Sequence, residues 1–198
     1  MMDKDFGIPS ITKISLGLVA DLESNITVRA NIIHMEEEDP VGAIIGGCDP
    51  KGNALADNRP LYGGCSYVGY LTTFKNIKPE TNVFGISMEK YFDNGLFLYL
   101  GYAHTDREMA HMMTSSIIFS SAVRMAVFDH LTPVNSRSHY EIEHSFDYAL
   151  TWKGNIFGNL ETSIGLNGFR QSGNPYSYTF RGDLSGYRTD GENIELLY

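Results

Sequence analysis

Three pairs of alternating segments, each pair joined by a few polar residues and separated from the next by a long irregular stretch, constrain this chain most. The short joints are Leu22-Glu23-Ser24-Asn25, Asp93-Asn94-Gly95 and Lys153-Gly154-Asn155. Apolar residues recur at every second position: Ile14, Leu16, Leu18, Ala20 and Leu22 in the first segment, then Ile26, Val28, Ala30 and Ile32 in the second. Phe84, Ile86 and Met88 are followed by Leu96, Leu98, Leu100 and Tyr102. The third pair has Tyr140, Ile142, Phe146, Tyr148, Leu150 and Trp152, with His144 among them, then Leu160, Thr162, Ile164, Leu166 and Gly168. A period of two predicts strands, and Asn94-Gly95 tolerates the positive φ of a tight hairpin. The fold class expected is all-β, an antiparallel meander of long hairpins.

The polar faces decide what kind of meander. His139, Glu141, Glu143, Ser145, Asp147 and Thr151 share one face of the segment Ser138 to Trp152, and Arg29 and Glu89 stand mid-segment elsewhere. A dry core does not tolerate such a row, so water must lie on that side. The segments run about 10 to 15 residues, whereas a tilted strand crosses a bilayer in about 9 to 11 and soluble strands average about 5 to 6. Aromatic residues gather near the segment ends (Tyr91, Phe92, Tyr148, Trp152, Phe157, Tyr176, Tyr178, Phe180), as in interfacial girdles. Short turns at one end and long loops at the other, about 36–81 and 106–137, complete the pattern of an outer-membrane β-barrel. Within 106–137, residues from Glu108 to His130 have room for a short helix.

Six strands are counted, eight if both ends contribute, and unpaired edges are costly in lipid. Single-chain bacterial barrels begin at about eight strands. The start, Met1-Met2-Asp3-Lys4-Asp5-Phe6, has no apolar run of a signal peptide. The expectation is therefore that 1–198 is one sector of a larger transmembrane barrel, lacking an export signal and a plug. The alternative is a complete small soluble β-barrel or carbohydrate-binding β protein.

From about residue 138 onward the chain resembles the C-terminal barrel of TonB-dependent outer-membrane receptors of the Oar-like kind. The resemblance rests on Ala126-Val127-Phe128-Asp129, Tyr140-Glu141-Ile142-Glu143-His144, Ala149-Leu150-Thr151-Trp152, Phe157-Gly158 and above all Gly173-Asn174-Pro175-Tyr176-Ser177-Tyr178-Thr179-Phe180. Asn193-Ile194-Glu195-Leu196-Leu197-Tyr198 is similar to the ending of the loop that follows in the family, and Asp5 to Met35 to a preceding hairpin. Glu143 and Ser145 stand where the family commonly has Pro and Arg. The resemblance implies uptake of a bulky ligand across the outer membrane of a Gram-negative cell. Its partners are outer-membrane lipid, the remainder of the receptor barrel and its plug, and TonB only through parts this sequence lacks. It implies no cofactor and no enzymatic activity. Ile194, Leu196 and Tyr198 alternate like a barrel's C-terminal assembly signal, but the family reading makes them a truncation within a loop.

Composition removes other classes. With 24 acidic against 15 basic residues the net charge is -9, which argues against nucleic acid as a partner. No run of about 18 apolar residues exists, so no transmembrane helix is expected. Cys48 and Cys65 flank one Gly-rich stretch. In an oxidising compartment a disulfide there contributes about 3 kcal/mol; otherwise they are two small unpaired residues. Three groups could gather around a metal: His139 with Glu141 and Glu143; His104 with Asp106, Glu108 and His111; and, for Ca²⁺, the run Glu36-Glu37-Glu38-Asp39. Solvated lumen and loop faces are the plainer reading of all three. Ser87-Met88-Glu89-Lys90 matches S-x-x-K, which needs a helical turn; on a strand Ser87 and Lys90 point to opposite faces.

Overall fold

The computed structural model describes residues 1–198 except 55, 67, 126, 181, 183, 188–194, 197 and 198. The strands are β1 (Ser10–Leu22), β2 (Ile26–Glu38), β3 (Val41–Ile45), β4 (Asp49–Asn53), β5 (Pro60–Gly63), β6 (Gly69–Thr73), β7 (Glu80–Tyr91), β8 (Leu96–Met109), β9 (Ser136–Arg137), β10 (His144–Phe157), β11 (Leu160–Gln171), β12 (Thr179–Phe180) and β13 (Glu195–Leu196). Among the described residues there is one short helix, α1 (Ile118–Val123), which precedes β9. The fold is all-β, as the period of two predicts.

Six long strands form one antiparallel meander in the order β1-β2-β7-β8-β10-β11, with β9 extending the pairing of β8. The sheet is open: among the described residues β1 pairs only with β2, and β11 only with β10. Register carries the alternation of each strand across the whole sheet. Leu18, Ala30, Ile86, Tyr102 and Phe146 stand in one row. Leu22, Ile26, Lys90, Leu98, Leu150 and Leu166 stand in another. The opposite face carries Asp21, Thr27, Glu89, Tyr99, Ala149 and Asn167 in register, and the Arg29–Glu89 ion pair at 2.6 Å. A slip of one residue would invert every face, so the rows require all six strands to agree.

Tight turns close one end. Ser24 (φ 65) and Asn25 (φ 56) make the first, and Gly95 (φ 81) the second, where Asn94 Oδ1 also accepts the Leu96 N–H at 3.2 Å. The third turn lies further on than Lys153-Gly154-Asn155. β10 continues through a bulge near Asn155 to Phe157, and the chain reverses at Gly158 (φ 63) and Asn159. At this end the Trp152 indole N–H donates to the Asn94 carbonyl at 3.1 Å.

The other end holds more structure than two long loops, and the short helix for which Glu108 to His130 leave room forms as α1. β2 and β8 run on to Glu38 and Met109, and the connections hold the hairpin-like pairs β3–β6 and β4–β5 and the helix α1. These pieces form a cap, and the hydrophobic core lies inside it. Ala43, Ile45, Ala122, Val123 and Tyr187 are buried together, with Cys48, Tyr62, Cys65, Ile118, Phe119 and Leu131 packed around them. None of these belongs to the six long strands. Strand β10 also begins later than Ser138. Residues 138–143 turn instead, with the Glu141 N–H bonded to the Ser138 carbonyl at 3.1 Å. Tyr140 and Ile142 therefore do not continue the apolar face of β10.

The folded chain exposes 12572 Å², against about 9,300 Å² expected for a compact monomer of this mass. The excess lies in the sheet, where both faces meet solvent. Leu16 is 72% and Leu166 61% exposed. Each such side chain forgoes about 1.5–3 kcal/mol relative to burial.

Candidate functional site

The rim where the sheet meets the cap gathers the most chemistry. Antiparallel pairing of β8 with β10 sets His104 directly opposite His144, their rings 5.1 Å apart and nearly parallel at 24°. Each imidazole is held through its δ nitrogen: His104 Nδ1 lies 3.1 Å from the Glu143 carbonyl oxygen, and His144 Nδ1 lies 3.0 Å from the Tyr102 hydroxyl. Glu143 Oε1 stands 3.5 Å from His144 Nε2. One ligand atom from each of His104, Glu143 and His144 lies within 4.8 Å of the others. The same row of the sheet carries Leu16, Ile32 and Phe84 on the neighbouring strands, so the histidines mark where the apolar face ends.

Arg137 anchors this rim. Its guanidinium meets Glu141 Oε1 and Glu143 Oε2, both at 2.5 Å, and its Nε donates to Glu141 Oε1 at 2.6 Å. Glu141 is 2% exposed and its second oxygen accepts the Arg107 backbone N–H at 2.8 Å. A buried carboxylate is tolerated only with its lone pairs so filled. The turn at 138–143 brings Glu141 within reach of both donors. The Arg137 hydrogen bond holds the Glu143 carboxyl below the usual range, and the two carboxylates push the guanidinium up.

A cleft of about 320 Å³ opens between these groups, lined by His104, Thr105, Asp106, Glu108, Arg137, Glu141 and Glu143. Beside it a groove of about 460 Å³ is walled by Arg137, His139 and Glu143 on one side and by Gly173, Pro175, Tyr176 and Ser177 on the other. The motif segment thus borders the rim cluster. Tyr176 and Tyr178 meet edge to face at 5.7 Å and are both exposed, and Thr179 and Phe180 form β12 against β13. Phe180 lies under the Arg59 guanidinium at 5.2 Å.

The cap is built as tightly as the sheet is open. Cys48 and Cys65 are joined by a disulfide. Tyr187 is fully buried, stacks on His130 at 4.2 Å, and its hydroxyl accepts the Ile45 N–H at 2.5 Å. The Tyr62 hydroxyl donates to Asp129 at 2.5 Å; burial and that carboxylate push the Tyr62 hydroxyl pKa up. His111 packs against Phe74, its Nε2 is 3.1 Å from the Ala43 carbonyl, and burial lowers its pKa to about 4.

The three metal sets expected from sequence do not assemble as written. Residues 139–143 are not a strand, so His139, Glu141 and Glu143 do not share a strand face, and Glu141 is consumed by Arg137 and Arg107. His104, Asp106 and Glu108 line one cleft, but His111 is buried in the cap. In the acidic run, Glu36 and Glu38 both pair with Lys78, at 2.9 and 2.7 Å. Ser87 and Lys90 fall in rows of opposite faces. His144, which the sequence places only on the apolar face, is the member of the rim cluster that sequence reasoning misses. Its two-residue offset from Phe146 was visible, but its partner His104 lies on another hairpin. Asn193, Ile194, Leu197 and Tyr198, like Ala126, lie outside the described residues. No helix among the described residues is long and apolar enough to cross a membrane. Comparison with protein-family models, with curated proteins and with solved structures returned no match.

Proposed function

We propose that this chain is a wall sector of an outer-membrane β-barrel of the TonB-dependent, Oar-like receptor kind, serving uptake of a bulky ligand. One observation carries the reading: a six-stranded sheet whose apolar residues stand in register on one exposed face, whose polar residues stand on the other, and whose two edges are unpaired among the described residues. Lipid satisfies the first face, a hydrated lumen the second, and neighbouring strands of the full barrel the edges. On this reading the tight turns are periplasmic and the cap is extracellular. The ligand would meet the cap and the groove beside Gly173–Ser177. Tyr91, Phe97 and Trp152 sit at the turn end, as interfacial aromatics do. The role is transport, without catalysis or a resident cofactor, and coupling to TonB runs through the plug rather than this sector.

Trp152 is the chain's single tryptophan, which makes it a depth gauge. The refolded full chain is mixed with phospholipid vesicles carrying bromine at shallow or deep acyl positions. The expected result is quenching of Trp152 fluorescence, stronger from the shallow bromines. A monodisperse monomer in plain buffer, with a cooperative melt and no quenching by either lipid, would overturn the reading in favour of a soluble β protein.

A further inference from the structure

We infer that His104, His144 and Glu143 form a binding site for a single divalent transition-metal ion, of which Zn²⁺ is the representative. The argument begins with the nitrogens. A metal-binding histidine ordinarily has its other ring nitrogen fixed by a hydrogen bond to a carbonyl, carboxylate or hydroxyl, which sets ring orientation and tautomer. Both histidines have this arrangement. The Glu143 carbonyl oxygen engages His104 Nδ1 at 3.1 Å, which puts the proton there, and the Tyr102 hydroxyl engages His144 Nδ1 at 3.0 Å. The two Nε2 atoms are left as ligands.

The third donor is prepared in the same way. Glu143 uses Oε2 for Arg137 at 2.5 Å, while Oε1 is the oxygen directed at His144 Nε2, 3.5 Å away. One ligand atom from each of the three residues lies within 4.8 Å of the other two. Tetrahedral ligands about 2.0–2.2 Å from a common ion stand about 3.3 Å apart, so the side chains must close by up to about 1.5 Å. His144 and Glu143 are partly exposed and have room to do so. Two imidazoles and one carboxylate leave the fourth position to water or an incoming ligand atom. Imidazole donors select Zn²⁺, Ni²⁺ or Cu²⁺ over Ca²⁺ and Mg²⁺.

The site is made by long-range pairing. His104 lies on β8 and His144 on β10, 40 residues later, so only the folded sheet assembles it. An ion there would clamp the first residue of β10 to β8, where the turn from Arg137 enters the sheet. This placement is independent of what covers the apolar face, so the metal site and the barrel reading stand or fall separately.

Zn²⁺ is titrated calorimetrically into the untagged full chain in detergent micelles, alongside His104→Asn, His144→Asn, Tyr102→Phe and the control His139→Asn. One ion per chain is expected. Either ligand variant should weaken binding at least tenfold, Tyr102→Phe should weaken it about tenfold, and His139→Asn should leave it unchanged. Zinc X-ray absorption on the wild-type chain, which needs no variant to fold, should report two imidazoles plus oxygen donors. No binding at 100-fold excess Zn²⁺, wild-type affinity in both ligand variants, or a different donor set would overturn the site. In that case the three groups form only a His144–Glu143 contact beside a stacked ring.

Discussion

The sheet and the cap are opposite solutions to the same problem of satisfying apolar residues. In the cap, short strands and one helical turn bury Ile45, Val123 and Tyr187 around a disulfide within a small protein-made core. In the sheet, six strands of 12 to 14 residues align their apolar side chains as carefully, yet no hydrophobic side chain of theirs is buried among the described residues. The cap carries its own solvent-excluding partner and the sheet does not. Alignment without burial is what the proposed barrel reading accounts for, whereas the described part of the cap buries its own apolar residues. Stability measured on this chain should therefore separate into two parts.

The largest effect should come from the centre of the cap. Tyr187→Ala removes a fully buried ring that stacks on His130, meets Tyr62 edge to face at 5.8 Å and bonds the Ile45 N–H. Losing about 4 kcal/mol is expected. Because no residue of the six long strands contributes to this core, the loss should appear as faster amide hydrogen exchange in β3, β6 and α1. Exchange in β1, β2, β7, β8, β10 and β11 should hardly change. Uniform acceleration through the sheet would show that the two regions unfold as one.

Acid should make the same division. His111 in the cap titrates near pH 4, while an exposed imidazole titrates near 6.5. Between those values the unfolded chain takes up a proton that the folded cap refuses. The cap's stability is therefore full above about pH 6.5 and falls as pH drops toward 4, by about 3 kcal/mol when the transition is complete. Replacing His111 by Gln, which keeps a hydrogen-bonding group beside Ala43, should flatten this slope. Cap melting followed from pH 7 to pH 4.5 in both proteins measures it, and parallel slopes would remove His111 as the cause.

Legibility followed the same boundary. The sheet was readable because its rule is local. Ile14 to Leu22 and Leu96 to Tyr102 declare a face every second residue, and the faces then had to match across strands. Where local signals changed meaning the reading failed. Tyr140 and Ile142 continue the alternation of β10 by coincidence, and the buried Glu141, tied to Arg137 and the Arg107 N–H, breaks the strand there. Lys153-Gly154-Asn155 has the composition of a turn, but the chain turns later, because the bulge that absorbs Asn155 depends on β11. In the cap, Tyr187 reaches Ile45 across 142 positions, and no pattern in either segment announces that contact. The rim cluster was half legible. The sequence points to His104 and to Glu143, each with its sequence neighbours as companions, because only the β8–β10 register makes His144 the partner.

The sharpest comparison is between two adjacent residues. Leu166 and Asn167 neighbour each other on β11, both are exposed in the isolated sheet, and they point to opposite faces. If water lies on both sides, Leu166→Arg and Asn167→Arg are the same surface change, each within about 0.5 kcal/mol of neutral. If lipid covers the apolar face, Leu166→Arg drives a cation into hydrocarbon near the middle of the strand and costs about 2–4 kcal/mol. Asn167→Arg faces the hydrated side and stays near zero. Reversible urea unfolding of the two variants in phospholipid vesicles gives the difference directly. A gap of at least 2 kcal/mol assigns lipid to the row of Leu22, Ile26, Leu98, Leu150 and Leu166. Equal values would mean that this row is covered by protein or by nothing. The open edges would then have to be explained by a soluble partner rather than by missing barrel strands.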